Sequence, residues 1–225
     1  MRLYLVRHGQ TEWNALKRLQ GQSDIALTDL GRKQAITAGQ GVAAIDFDYC
    51  YCSPLQRAAQ TAQLIWGSRA GNIVPDARLM EIAFGPDEGR VFDRSKALDP
   101  SDPISLFFNQ PELYVPHEGA ESIAQLTARA QSFLSDLCAQ HGAQATAAQL
   151  SPRILVVAHG ALIKGLTLAL TGRPVERFWN NIPPINCAMV VADYDARAGW
   201  TIVDECVRLA DGVIWHDDTG AQAPA

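Results

Sequence analysis

Two histidines in this chain stand where buried strands should end. The runs Leu3-Tyr4-Leu5-Val6 and Ile154-Leu155-Val156-Val157-Ala158 are apolar, and each passes abruptly into a histidine followed by glycine: Arg7-His8-Gly9 and His159-Gly160. A neutral imidazole can be a nucleophile or a base, and a guanidinium beside it suits an oxyanion. Glycine permits close backbone approach to a ligand, and amides at a helix N-terminus face anions. A third strand end carries Ser53-Pro54-Leu55-Gln56-Arg57, which brings a second arginine to the same sheet edge. Taken singly, each histidine reads more readily as a structural or surface residue, and Arg57 as a solvated helix arginine. Together Arg7, His8, Arg57 and His159 form a set of cationic and neutral donors without a carboxylate. Such a set attracts a dianion rather than a metal, because neither histidine has a suitably spaced His, Cys or Asp partner.

The elements that must position these residues follow from pattern. Leu3 to Val6, residues 48–52 and residues 153–158 read as strands, the last a continuous apolar run of the kind buried in parallel sheets. Thr28-Asp29-Leu30 opens a helix running to about Ala44, with Thr28 as N-cap. Ser53 is expected to cap the next helix, with Pro54 at its first position and Gln56 completing a capping box, to roughly Trp66. A long helix after Glu121-Ser122 places Ile123, Leu126, Phe133, Leu134 and Leu137 on one face. Residues 187–194 and 200–206 suggest a hairpin. Alternating strands and helices predict an α/β fold, a three-layer sandwich with a mainly parallel central sheet and helices on both faces. Ligands in such sheets bind beyond the carboxyl ends of the strands.

The chain has 225 residues, 48% hydrophobic and 19% charged, with a net charge of −5. That is enough for one large core, and residues 1–216 are expected to form a single domain. The proline-punctuated segment 82–118 reads as loops and short helices capping it. Residues 142–150 read as a loop or frayed helix and 217–225 as a disordered tail. The acidic balance argues against nucleic acid or an anionic membrane as partner. There is no signal core, and no apolar run approaches the ~18 residues of a membrane span. The five cysteines include no Cys-x-x-Cys pair; Cys50 and Cys52 would lie ~6.6 Å apart on one strand face, too far for a disulfide. Reduced thiols and a soluble, cytoplasmic protein are expected. His117, His141, His216 and Lys164 are expected at the surface, and Trp13 and Phe84 in packing roles.

The segment Leu5-Val6-Arg7-His8-Gly9-Gln10-Thr11-Glu12-Trp13-Asn14 resembles the signature of the histidine phosphatase superfamily, the phosphoglycerate mutase-like proteins. Further matches follow in order: Gln20-Gly21, Leu27-Thr28-Asp29-Leu30-Gly31, Ser53 to Ala58, Leu79-Met80-Glu81, Phe84-Gly85 with Glu88-Gly89, Gly119 to Ser122, and Val157 to Gly160. The resemblance implies the phosphoglycerate mutase-like fold, no cofactor, no metal and a small phosphorylated substrate, with a homodimer as an open question. It implies that His8 attacks phosphorus and becomes a phosphohistidine, with its other ring nitrogen fixed by an acceptor such as a backbone carbonyl. Arg7, Asn14, Arg57, His159 and Gly160 would hold the phosphoryl oxygens. Glu81 would be the general acid, protonated when the ester is cleaved, with Glu88 a rival acid more readily read as structural. Gln20, Gly21 and Glu88 would lie at the substrate rim. The pattern departs from the family at Pro86-Asp87, where a tryptophan often stands, which leaves the rim open.

Both phosphatases and phosphoglycerate mutases use this core. The mutase-like run Glu-Arg-His-Tyr-Gly is absent, since Ile82-Ala83-Phe84-Gly85 follows Glu81. Residues 82–122 hold eight acids against three bases, which disfavours a second bound anion. The expectation is therefore a metal-independent phosphomonoesterase. A phosphoglycerate mutase, or a non-catalytic phosphate-binding regulator, is the alternative.

Overall fold

The computed structural model describes residues 1–93, 98–142, 151–179, 185–216 and 220–222. The expected stretch 142–150 beyond Gly142, most of the tail, and Arg94 and Lys96 of the charge count lie outside the described residues. Strands β1 (Arg2–Arg7), β2 (Tyr49–Cys52), β3 (Ile73–Pro75) and β4 (Arg153–Ala158) pair in parallel. The hairpin β5 (Ala188–Asp195) and β6 (Gly199–Arg208) adds an antiparallel edge, giving the sheet order β3-β2-β4-β1-β5-β6. This is the mixed, mostly parallel α/β sheet expected, with helices on both faces.

Each strand alternates its side chains between two cores. Leu3, Leu5, Ile154 and Val156 pack under α5 (Ile123–His141) and α6 (Gly160–Thr171). Tyr4, Val6, Cys50, Cys52, Leu155 and Val157 pack against α2 (Asp29–Gly41) and α3 (Gln56–Trp66). The short helices α1 (Glu12–Ala15) and α4 (Pro103–Asn109) belong to the loops above the strand ends. Thr28 caps α2 as expected, though the helix stops at Gly41, and Ser122 with Gln125 forms a capping box on α5.

Several expectations are corrected. Ser53 is not the N-cap of α3, which starts at Gln56 with Leu55 as N-cap and no side-chain bond; the Ser53 hydroxyl accepts the Leu55 amide at 3.3 Å and meets His159 at 2.8 Å. Lys164 is buried, because α6 is covered nearly all round and carries it alongside Cys206. His141 is also buried: it lies over β2, stacked on Tyr49 and bonded to the Tyr51 hydroxyl at 2.9 Å. Gly220–Gln222, within the stretch read as disordered, pairs antiparallel with Ile214–His216.

The register aligns the strand ends. Arg7 lies opposite Ala158 and Cys52 opposite Val157, so His8, Ser53 and His159 leave the sheet side by side. The turn after β1 is locked by backbone contact: a Cβ at Gly9 would come within 2.3 Å of the Gly31 carbonyl, and one at Gly31 within 2.0 Å of the Gln10 carbonyl. Only two glycines let the loop after β1 and α2 approach this closely.

Candidate active site

His8 leaves β1 almost wholly buried, and its Nδ1 lies 2.7 Å from the Gly9 carbonyl. A carbonyl only accepts, so Nδ1 carries the proton and Nε2 presents a lone pair. Nε2 has no hydrogen-bond partner among the described residues, and His8 lines a cleft above the sheet. Burial first, then the charges of Arg7 and Arg57, push the His8 pKa well below its usual 6.5; the Gly9 bond opposes this only in part. The imidazole is therefore neutral and of one tautomer, the state a nucleophile needs.

The loop carrying it is held from two sides. Thr61 accepts the Gly9 amide at 3.0 Å and donates to the Arg57 carbonyl at 2.7 Å. Asn186 donates to the His8 carbonyl at 2.9 Å and to the Asn14 side-chain oxygen at 3.2 Å. That oxygen also accepts the Thr11 amide at 3.1 Å, so Asn14 turns its Nδ2 donors out while lining the cleft. Neither Thr61 nor Asn186 is marked by the sequence, because each meets its partners across the fold, from 52 and 178 residues away in the chain.

Arg57 is fully buried in the first turn of α3, where its Nη1 and Nη2 donate at 2.7 Å to the Ser23 and Gly21 carbonyls. Its Nε donates to His159 Nδ1 at 3.2 Å, and His159 Nε2 lies 2.8 Å from the Ser53 hydroxyl. His159 is likewise kept neutral, its pKa pushed well below 6.5 by burial and then by Arg57, His8 and Arg7. Both its ring nitrogens are engaged and it does not line the cleft. The His159 ring lies 5.1 Å, centroid to centroid, from that of His8, and its Nδ1 orients the Arg57 guanidinium.

Glu81 lines the cleft and caps α6 across space. Its carboxylate accepts the Ala161 and Leu162 amides at 3.1 and 3.0 Å and the Ile82 amide at 3.0 Å. His159, the N-cap residue of α6, makes no side-chain cap bond, so Glu81 does that work. Glu88 does not reach the cleft. It accepts the Gln22 and Ser23 amides at 2.8 Å each and the Ser23 hydroxyl at 2.5 Å, anchoring the 20–24 loop that Arg57 grips from the other side. Gly21 passes so close that a Cβ would meet Glu88 at 2.1 Å, with φ at +52°. Glu88 is thus a loop anchor, not a rim residue, whereas Gln20, Gly21 and Gly160 do line the cleft. Among the described residues no group of three His, Cys, Asp or Glu side chains could hold a metal ion, and no helix is long and apolar enough to cross a membrane.

Comparisons with known proteins place the chain in one family. The model of the histidine phosphatase superfamily (branch 1) matches residues 3–206. Over 218 residues the chain is 36% identical to the glucosyl-3-phosphoglycerate phosphatase of Mycolicibacterium vanbaalenii, covering 96% of this chain and 92% of that protein. YhfR of Bacillus stearothermophilus superposes with a TM-score of 0.79 at 29% identity, over 92% of this chain and 98% of that one. The phosphoserine phosphatase of Entamoeba histolytica, in complex with 3-phosphoglyceric acid, gives 0.73 at 28% identity over 92% and 98%. The chain belongs to the histidine phosphatase superfamily, and its similarity to named phosphatases supports a phosphoric monoester hydrolase.

The two buried histidines make stability depend on pH with a definite sign. Their folded pKa values lie below the ordinary ~6.5, so as pH falls through that value the unfolded chain takes up protons the fold refuses. Stability contributed this way is present above about pH 6.5 and lost beneath it, at up to ~1.4 kcal/mol per pH unit for each histidine. Urea midpoints should fall clearly between about pH 7 and about pH 5; an unchanged midpoint would contradict the buried neutral state.

Proposed function

We propose that the protein hydrolyses a small phosphate monoester through a phosphohistidine on Nε2 of His8, without a metal ion. The observation that carries this is the Gly9 carbonyl on Nδ1, which leaves Nε2 unprotonated in a cleft lined by Arg7, Arg57 and Asn14. The Nε2 lone pair attacks phosphorus as the ester P–O bond breaks. The two guanidiniums and the Asn14 amide meet the charge on the equatorial oxygens. His159 and Ser53 contribute by fixing the Arg57 guanidinium.

Glu81 supplies the proton to the departing alkoxide. Its Oε2 accepts one amide and its Oε1 two, so Oε2 is the oxygen with room for a proton. In the second half-reaction the carboxylate takes a proton from water as water attacks the phosphohistidine and imidazole leaves. Positioned acid–base groups of this kind contribute ~10²–10⁴-fold. Hydrolysis rather than mutase transfer is supported by the relative named a phosphatase at 36% identity and by the absence of a paired-arginine segment after Glu81. The two phosphatases named above, for glucosyl-3-phosphoglycerate and for phosphoserine, direct the substrate search to phosphorylated metabolites of that size.

Incubation with p-nitrophenyl phosphate and EDTA tests the reading. Turnover should persist in the chelator and be lost in His8→Ala, whose melting stays cooperative. Metal-dependent turnover, or retained activity in the variant, would overturn it. Glu81→Gln separates the acid from the cradle. It should slow esters with poor leaving groups by at least ~10²-fold while p-nitrophenyl phosphate, whose leaving group needs no proton, is slowed much less. Equal slowing of both would remove Glu81 from the acid role.

A further inference from the structure

Beyond the phosphoryl end the cleft wall changes character. Leu19, Phe84, Phe107, Phe108 and Trp179 line it. These rings are fixed: Phe107 is fully buried with its edge or face against Phe84, Phe108 and Trp179, and the Trp179 indole donates to the Phe107 carbonyl at 2.7 Å. A substrate's leaving group therefore meets a rigid wall offering almost no hydrogen bonds.

Arg18 is the exception. It lines this cleft and also the groove that continues outward past Phe108, so it stands at the junction of the two. Its backbone is pinned, the amide donating to the Trp13 carbonyl at 2.8 Å and the residue bridging to Val91. One end of its guanidinium is anchored, Nη1 donating to the Gly89 carbonyl at 3.0 Å. The Nε and Nη2 edge makes no hydrogen bond or ion pair among the described residues. Arg7 and Arg57 serve the phosphoryl end, and Glu81, the one carboxylate lining this cleft among the described residues, is turned to the α6 amides. In the outer groove Lys17 and Asp93 face each other at 3.7 Å. A planar fork with two aligned N–H donors matches the two oxygens of a carboxylate.

We propose that Arg18 is a specificity-determining residue that binds a carboxylate on the leaving group, so that the substrates are phosphate monoesters of small hydroxy acids. This rests on the hydrolytic reading of the same cleft. A second phosphate is a poorer match, since the phosphoryl end commits two guanidiniums and a neutral donor to one phosphoryl group, while the outer cleft offers a single fork. Three acids of the 82–122 segment answer their own partners: Asp87 and Asp102 pair with Arg90, Asp87 also with His117, and Glu121 with Arg129.

Matched substrate pairs differing only at the carboxylate test the assignment. These are 3-phosphoglycerate against glycerol 3-phosphate, and phosphoserine against phosphoethanolamine. The wild-type protein should prefer the acid in each pair by about tenfold in kcat/KM, mainly through KM, with the preference shrinking as salt is raised. Arg18→Gln should bring both ratios close to one, and Arg18→Lys, which keeps the charge but not the fork, should fall between. Equal rates within each pair for the wild type, or an undiminished preference in Arg18→Gln, would overturn the proposal. Wild-type turnover of p-nitrophenyl phosphate reads the hydrolytic chemistry separately. With that turnover present and no acid preference, only the Arg18 assignment fails; with no ester turned over, both readings fail.

Discussion

The 2.7 Å contact between His8 Nδ1 and the carbonyl of its own neighbour Gly9 is the interaction on which the site depends. It settles which ring nitrogen holds the proton, and so which one can attack. It also ties the ring to a backbone that cannot move, because Gly9 and Gly31 sit too close for a methyl group to enter between them. Burial and two nearby guanidiniums then oppose protonation of the ring. In the proposed reaction the cations that keep His8 neutral also meet the phosphoryl charge, so one arrangement would serve ground state and transition state.

Around that contact the fold works as a set of clamps on loops. Arg57 grips the carbonyls of Gly21 and Ser23 while Glu88 grips the amides of Gln22 and Ser23. Glu81 holds the first amides of α6, and Asn186 joins the His8 carbonyl to Asn14. Buried charge is costly unless its hydrogen bonds are met, and Arg57 meets that condition with two backbone carbonyls and a neutral imidazole. His159 is thereby a partner of the arginine as well as a neighbour of His8, a pairing that strand-end position alone could not show.

Much of this was legible in the sequence because the signal lay in position along a period. Apolar runs ending in Arg7-His8 and Ala158-His159 mark strands of a parallel sheet, and their carboxyl ends mark the site. What was not legible depended on pairings across space. Ser53 reads as a helix cap by spacing, yet its hydroxyl also meets His159, more than a hundred residues away in the chain. Lys164 reads as solvated by type, but α6 is enclosed on all sides. A count of acids between 82 and 122 suggested a cleft hostile to a second anion. In the fold Asp87, Asp102 and Glu121 answer their own bases, and the cleft retains an arginine with an open edge.

The central claim is that phosphoryl transfer passes through His8 in two in-line steps rather than directly to water. The stereochemical course at phosphorus tests it most directly, using an ester chiral by oxygen isotopes and thiophosphoryl substitution. Each in-line displacement inverts the centre. Two displacements, through a phosphohistidine, predict net retention in the released thiophosphate. Net inversion would mean a single displacement by water and would contradict the nucleophile assignment.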